Sequence, residues 1–242
     1  MRGHVVSPKP SNRYGKIVGI VGGVASGKSE VTRFLAELGG RVLNADQMAH
    51  EVLSEPEVID LLVDHFGSQV LLVKPERQQT NDEHTRGDSR SLNRSMIAKQ
   101  VFGDTEQHKV NRQYLESVVQ TRVRDRLTRE IESWRSKNKS KTFLILDIPL
   151  LFERGWDRFC DYILMIDTPE EMRKANAFRR GWTEQDWRAR ELSQMSVVEK
   201  GARATHLIPN RSSLDNLRTE VLDWFEKHFG TQSEPRANGP LD

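Results

Sequence analysis

Residues 22–29, Gly-Gly-Val-Ala-Ser-Gly-Lys-Ser, combine small residues with one lysine and a hydroxyl at a spacing that suits phosphate chemistry. They match the pattern G-x-x-x-x-G-K-[ST], in which small residues let successive backbone N–H groups turn inward around an anion. In this pattern Lys28 reaches the β- and γ-phosphates of a nucleotide, and the Ser29 hydroxyl holds Mg²⁺. The pattern therefore predicts a nucleotide-binding loop. The alternative is a glycine-rich turn without a ligand.

The segments that flank this loop predict the strand and the helix that position it. Residues 17–21 form a short apolar run that is typical of a buried strand. Behind the loop, apolar residues recur at the i, i+3, i+4, i+7 spacing of one helix face, namely Val31, Phe34, Leu35 and Leu38. A helix that starts at the loop adds the positive end of its dipole to the anion site. The loop thus has the strand–loop–helix context that phosphate binding requires.

Two aspartates follow predicted strands. Asp46 comes shortly after the apolar pair Val42-Leu43, and Asp147 ends the apolar run 143–146. Because ligands of open α/β sheets bind beyond the carboxyl ends of the strands, both acids are expected on the rim that carries the loop. Asp147 suits either the metal side of a nucleotide site or the acceptor side. Asp46 suits equally well the N-cap of a helix that starts at Gln47.

Further periodic segments complete the predicted architecture. Two more strands are predicted at 162–166 and 205–208, and helices at 57–66, 92–102, 106–134, 170–180, from 183 or 184, and from about 214 onwards. Strands alternate with helices throughout, which predicts a parallel sheet flanked by helices in a single α/β domain over residues 16–230. Residues 74–91 are predicted to form a polar insertion, and residues 1–15 and 231–242 disordered tails.

Composition narrows the classes of protein. The net charge is only +2 among 37 basic and 35 acidic residues, so no nucleic-acid partner is expected, and the arginines of the long helix are interpreted as a solvated face. No apolar run approaches the length of a membrane span, and the N-terminal residues lack the apolar core of a signal peptide, so a cytoplasmic protein is expected. Cys160 is the only cysteine, which excludes internal disulfides, and it is interpreted as a small buried apolar residue. His50, His65 and His206 lack metal-ligand spacing and are interpreted as structural.

Several motifs, in this order along the chain, resemble the dephospho-CoA kinase family over residues 16–229. They are VGGVASGKS, NADQMAH at 44–50, LNRSMIAKQVF at 92–102, LDIPLLFE at 146–153, and Gln194 with Lys200 before HLIPN at 206–210. The resemblance implies a P-loop kinase core, a lid at about 170–195 and a helical substrate-binding region. It also implies Mg²⁺-dependent transfer of the ATP γ-phosphoryl group to the ribose 3′-hydroxyl of dephospho-CoA, giving CoA and ADP.

The resemblance implies specific residues on the ATP side. Lys28 and the lid arginines Arg179 and Arg190 would be catalytic, and Asn210 would lie beside the adenine. Ser29 would hold the metal. The family's loop falls on Gly22, Gly23, Ala25, Ser26, Gly27, Lys28, Ser29 and Glu30.

On the acceptor side the resemblance makes Asp46 the residue that activates the hydroxyl. Arg94 would bind the acceptor together with Asp147 and Leu150. The chain departs from the family at a few positions. The first acid of D-A-D is Asn44, the family's usual His-Pro in the long helix is Gln120-Thr121, and Ala25 and Glu30 replace a loop glycine and a threonine.

Two other functions are compatible with the loop. One is a different P-loop kinase whose acceptor is a nucleoside or nucleotide. The other is a regulatory nucleotide-binding module without turnover, in which the basic segment 122–129 holds RNA or an acidic partner. A GTPase is disfavoured because the chain has neither an N-K-x-D nor a D-x-x-G segment. The motifs carry no information about oligomeric state.

Overall fold

The computed structural model describes residues 15–72, 90–137 and 142–229. The predicted tails and the predicted polar insertion lie outside the described residues, except for residues 15, 90 and 91 at their edges. The described residues divide into two compact units, one formed by those up to Leu43 and from Ile131 onwards, and the other by those within Asn44–Glu130. The prediction of a single kinase domain over 16–230 with a lid at 170–195 stays a prediction.

The first unit contains a five-stranded sheet in the order β2-β3-β1-β4-β5. Its strands are β1 (Lys16–Gly22), β2 (Arg41–Asn44), β3 (Phe143–Asp147), β4 (Tyr162–Asp167) and β5 (His206–Pro209). Central β1 pairs in parallel with both β3 and β4, and β4 pairs in parallel with β5. The apolar runs in β1, β3 and β4 are almost wholly buried, as expected for parallel strands that are covered on both faces. The predicted α/β architecture is confirmed.

Helices α1 (Lys28–Glu37), α8 (Val197–Arg203) and α9 (Leu214–Phe229) pack on this sheet. Helices α6 (Glu170–Arg179) and α7 (Glu184–Leu192) follow β4 and pack on each other. Helices α1 and α9 bury their apolar faces against the sheet, with Leu35 and Val221 fully enclosed in the same cluster as Val18 and Ile145. The sheet and these helices hold the carboxyl end of β1, and therefore the glycine-rich loop, on a rigid base.

The second unit is helical. It contains α2 (Ala45–Val52), α3 (Pro56–Phe66), α4 (Arg94–Val101) and most of α5 (Glu106–Lys137), whose last turns belong to the first unit. On α5, Arg122 forms ion pairs with Glu55 and Glu57, so this arginine serves the surface packing of the unit. His65 stacks on the Tyr114 ring at 3.8 Å between centroids, so it contributes to the packing of this unit.

Two local features differ from the sequence-based prediction. Helix α2 begins at Ala45, directly after β2 and two residues before the predicted start at Gln47, and its N-cap is Asn44, whose side chain accepts a hydrogen bond from the Gln47 N–H at 2.8 Å. Helix α8 was not predicted. Its start carries the capping box Ser196–Glu199, in which the hydroxyl and the carboxylate each bind a backbone N–H of the other residue.

Candidate nucleotide-binding site

The glycine-rich loop, residues 23–27, joins β1 to α1. Gly27 caps the helix with φ of +90°, a left-handed conformation that glycine adopts without a steric cost. A Cβ atom at Gly27 would lie only 2.9 Å from the Asn210 amide nitrogen, so glycine is also needed here for space. The first unit therefore requires a glycine at the sixth position of the loop pattern.

Side chains from three other segments hold the loop by its carbonyl groups. The Thr168 hydroxyl and the Asn210 amide donate to the Ser26 carbonyl oxygen at 2.7 and 3.0 Å, and the Asn176 amide donates to the Ala25 carbonyl oxygen at 2.9 Å. In a trans peptide the N–H points opposite to the carbonyl. Fixing the Ser26 carbonyl on the outside therefore directs the next N–H toward the inside of the loop, where an anion would bind.

Lys28 lies folded over the start of the loop. Its ammonium group donates to the carbonyl oxygens of Gly22 and Gly23 at 3.4 and 3.3 Å, which are long for hydrogen bonds. Burial, together with the charge of nearby Lys200, lowers the pKa of Lys28 from 10.5 to about 8, while Asp147 acts in the opposite sense. A half-buried cation with only weak carbonyl contacts is poised to accept an anion.

A second lysine, Lys200, is fully buried and approaches the same loop. The Lys200 side chain on α8 donates to the Gln194 side-chain oxygen at 2.9 Å and reaches the Gly22 carbonyl oxygen at 3.5 Å, with the Glu153 carboxylate 3.8 Å away. Burial is the main cause that lowers the pKa of Lys200, and Glu153 partly compensates for it. Glu153, Gln194 and Lys200 all belong to quoted sequence motifs, yet no role was predicted for any of them.

Two non-glycine residues within the described ranges have a positive φ, and both are predicted site residues. They are Ala25 in the loop and Leu150 in the turn after β3, each with φ of 60°. This conformation costs roughly 1–2 kcal/mol for a residue with a Cβ, and such strain concentrates at functional sites. The strain at Ala25 is consistent with a glycine being the family's usual residue there.

Helices α6 and α7 form a hairpin that packs directly on the loop. Val24 and Ala25 share a small apolar cluster with Ala177 and Trp187, and Trp182 borders it. The two predicted lid arginines both lie on this hairpin, but they contact different residues.

Arg179 is exposed and donates to the side chain of Asn176, the residue that holds the Ala25 carbonyl. The exposed Arg190 guanidinium lies 4.3 Å from the centre of the Trp182 ring.

The predicted acceptor residues are divided between the two units. Asp147, at the end of β3, and Leu150 belong to the first unit, as the loop does, whereas Asp46 and Arg94 belong to the second. Asp46 and Arg94 each lie in the first turn of an exposed helix end, on α2 and α4. The alternative interpretation of Asp46 as an N-cap is wrong, because Asn44 fills that position.

Two further observations concern metal binding, and a third concerns membranes. Within the described ranges, no group of three or more His, Cys, Asp or Glu side chains is arranged to hold a metal ion. Ser29 is exposed in the first turn of α1, where its hydroxyl is accessible. Over the same part of the chain, none of the helices combines the length and the apolar character needed to cross a membrane.

A family model and several known proteins match this chain over most of its length. The family model, described as dephospho-CoA kinase, matches residues 16–216. The chain is 34% identical to a dephospho-CoA kinase of Symbiobacterium thermophilum, over 92% of this chain and 85% of that protein. It is 35% identical to a dephospho-CoA kinase of Deinococcus radiodurans, over 89% and 94% of the two chains. A crystal structure of a Thermus thermophilus protein matches with a TM-score of 0.62 at 28% identity, covering 89% of this chain and 99% of that one.

Proposed function

This chain belongs to the dephospho-CoA kinase family, and from that premise we propose how its residues perform the ATP-dependent phosphorylation of dephospho-CoA to CoA. The observation that carries the proposal is the loop itself. Its carbonyls are bound from outside by Thr168, Asn176 and Asn210, and the half-buried Lys28, whose carbonyl contacts are weak, lies across its start. This arrangement favours a multiply charged anion as the ligand, and ATP is the anion that the reaction needs.

On the donor side, the loop amides and Lys28 bind the triphosphate. The transition state of phosphoryl transfer is loose, so the protein acts mainly by positioning the reactants and stabilising charge on the equatorial oxygens. Lys28 exchanges its long contacts with Gly22 and Gly23 for a phosphate oxygen, which satisfies its charge better than a carbonyl does. Arg179 and Arg190 add positive charge from the α6–α7 hairpin, and Asn210 borders the adenine.

The residues present are compatible with Mg²⁺. In phosphoryl-transfer sites this ion keeps several waters and takes only one or two protein oxygens beside the phosphates, so a cluster of carboxylates is not required. The Ser29 hydroxyl would hold the ion, which when bound neutralises charge on the phosphate oxygens.

On the acceptor side, Asp46 orients the ribose 3′-hydroxyl of dephospho-CoA and accepts its proton. Arg94 binds the acceptor's own phosphate groups through its guanidinium, a donor suited to two oxygens at once. Asp147 and Leu150 contact the acceptor from the turn after β3. The cytoplasmic location and the lack of a nucleic-acid partner stay predictions from the sequence.

A panel of acceptors tests this function. ADP release is measured with ATP and, in turn, dephospho-CoA, nucleosides, nucleoside monophosphates or no acceptor. Release with dephospho-CoA alone supports the proposal, whereas release with a nucleoside or nucleotide would identify the alternative kinase. Absence of release with every acceptor, together with RNA binding that weakens steeply with salt, would identify the non-catalytic module.

A further inference from the structure

Arg173 on α6 is a buried cation that the sequence analysis did not assign to the site. Only 5% of the surface of Arg173 is exposed to solvent. Its Nε atom donates to the Thr168 carbonyl oxygen at 3.2 Å, and its Nη1 atom forms an ion pair with the Glu191 carboxylate of α7. Because a buried charge is costly unless it is paired and hydrogen-bonded, this arginine depends on Glu191 in the nucleotide-free protein.

The guanidinium lies directly on the glycine-rich loop. A Cβ atom added to Gly23 would come within 2.5 Å of Nη1 and 2.8 Å of Cζ of Arg173. The glycine at the second position of the loop thus leaves the space that the arginine fills. Arg173 is therefore packed against the loop itself, unlike Arg179 and Arg190, which are exposed and contact Asn176 and Trp182.

The carboxylate that holds Arg173 also sits on a loop amide. Oε1 of Glu191 accepts a hydrogen bond from the Val24 N–H at 2.6 Å, a short distance that is typical of a charged acceptor. Oε1 of Glu191 therefore accepts hydrogen bonds both from the Val24 N–H of the loop and from the Arg173 guanidinium that packs on the loop. A phosphate oxygen binds this pair of donors equally well.

We propose that Arg173 is a further phosphate-binding residue, and that Glu191 holds its place in the nucleotide-free protein. The terminal phosphate of ATP replaces the carboxylate on both the Val24 N–H and the Arg173 guanidinium. Arg173 then stabilises the transferring phosphoryl group from a fixed position. This inference rests on the proposed kinase function, since it needs a nucleotide with a terminal phosphate at the loop.

The exposure of the two partners suits this exchange. The Glu191 side chain is 21% exposed against 6% for Arg173, so Glu191 is the partner with access to solvent. Arg173 stays anchored by Thr168, and the loop stays anchored by the contacts of Thr168, Asn176 and Asn210. Arg173 thus faces a carboxylate before the exchange and a phosphate after it.

The experiment compares binding of ATP and ADP, which differ by the phosphate that Arg173 is proposed to contact. Variants Arg173→Met and Glu191→Gln are titrated with each nucleotide, with intrinsic tryptophan fluorescence, to which Trp187 beside the loop contributes, as reporter and thermal unfolding as a check of folding. Arg188→Gln is the matched control, because Arg188 lies on α7 in an exposed ion pair with Glu184.

The substitutions at Arg173 and Glu191 are expected to change the affinity for ATP in opposite directions. Arg173→Met should lose about tenfold or more in ATP affinity and in kcat with little change for ADP, a loss typical of removing a charged hydrogen bond. Glu191→Gln should bind ATP several-fold more tightly, because a competing anion has gone, and ADP binding should change little. Arg188→Gln should match the wild type.

A purely structural ion pair would give a different pattern. Parallel losses of ATP and ADP affinity in both variants, or unchanged ATP affinity in both, would overturn the proposal. If Arg173→Met fails to fold, Glu191→Gln decides alone, and unchanged or weaker ATP binding in that variant refutes the assignment. These titrations need no acceptor, so failure of the kinase function would show separately, as absence of ADP release by the wild type and the Arg188→Gln control.

Discussion

Replacing Lys28 with methionine should abolish turnover and yet make the nucleotide-free protein more stable. Burial and the neighbouring Lys200 lower the pKa of Lys28 from 10.5 to about 8. At about 1.4 kcal/mol per pKa unit, keeping this lysine charged at pH 7 costs the folded state about 3 kcal/mol. Because the side chain keeps some access to solvent, we expect Lys28→Met to raise the free energy of unfolding by only about 1–2 kcal/mol. This gain corresponds to a rise in Tm of about 2–8 °C for a chain of this size.

The pH dependence of this gain has a definite sign. Between pH 8 and 10.5 the unfolded chain holds a proton on Lys28 that the folded chain has released. Wild-type stability therefore rises with pH in this window relative to the variant. The difference between variant and wild type should be full at pH 7 and shrink toward zero as the pH approaches 10.5. Urea unfolding of both proteins from pH 7 to 10 measures it.

Lys174 provides a control of opposite sign. It lies on α6 in an ion pair with Glu170, which raises the pKa of Lys174 above its usual value. Lys174→Met should therefore not stabilise the protein. If Lys28→Met is no more stable than the wild type at pH 7, or if its advantage persists unchanged up to pH 10, then Lys28 is not a cation held at a cost for an anionic ligand.

Three further predictions concern the acceptor residue, one helix cap and the single cysteine. Asp46→Asn should reduce kcat by about 100-fold or more because the proton acceptor is lost, with ATP affinity near normal; steady-state kinetics with near-normal turnover would remove Asp46 from the mechanism. Asn44→Ala should cost about 1 kcal/mol in urea unfolding, more than Asp46→Asn, because Asn44 is the N-cap of α2; equal costs would contradict that assignment. The Cys160 thiol should react slowly with iodoacetamide at pH 7.5, since burial raises its pKa to about 12. Labelling as fast as that of cysteine in solution would show that the thiol is accessible.

The elements that position the loop were predictable because their signals are local. The apolar runs of β1 and β3 are continuous, since parallel strands are buried on both faces, and the loop pattern specifies both its glycines and its lysine. Gly27 shows the value of this local information. Its left-handed conformation is a property of the loop pattern and not of the surrounding fold.

The buried charges around the loop could not be predicted in the same way. Arg173 and Lys200 stand in polar, highly charged segments that resemble solvated helix faces, and only the packing of α6 and α8 buries them. Their partners Glu191 and Glu153 lie 18 and 47 positions away along the chain. Sequence spacing carries no signal for such distant pairs. The start of α8, by contrast, does carry a local signal, because Ser196 and Glu199 have the spacing of a capping box.

The position of the transferred phosphoryl group decides whether this protein phosphorylates the ribose 3′-hydroxyl of dephospho-CoA. Wild-type protein is incubated with ATP and dephospho-CoA, and the product is examined by ³¹P nuclear magnetic resonance and by comparison with authentic CoA. We predict a single product with a new monoester phosphate on the ribose 3′-oxygen, and none with Lys28→Met. Phosphate on another oxygen, or an equal yield from the Lys28 variant, would contradict the account.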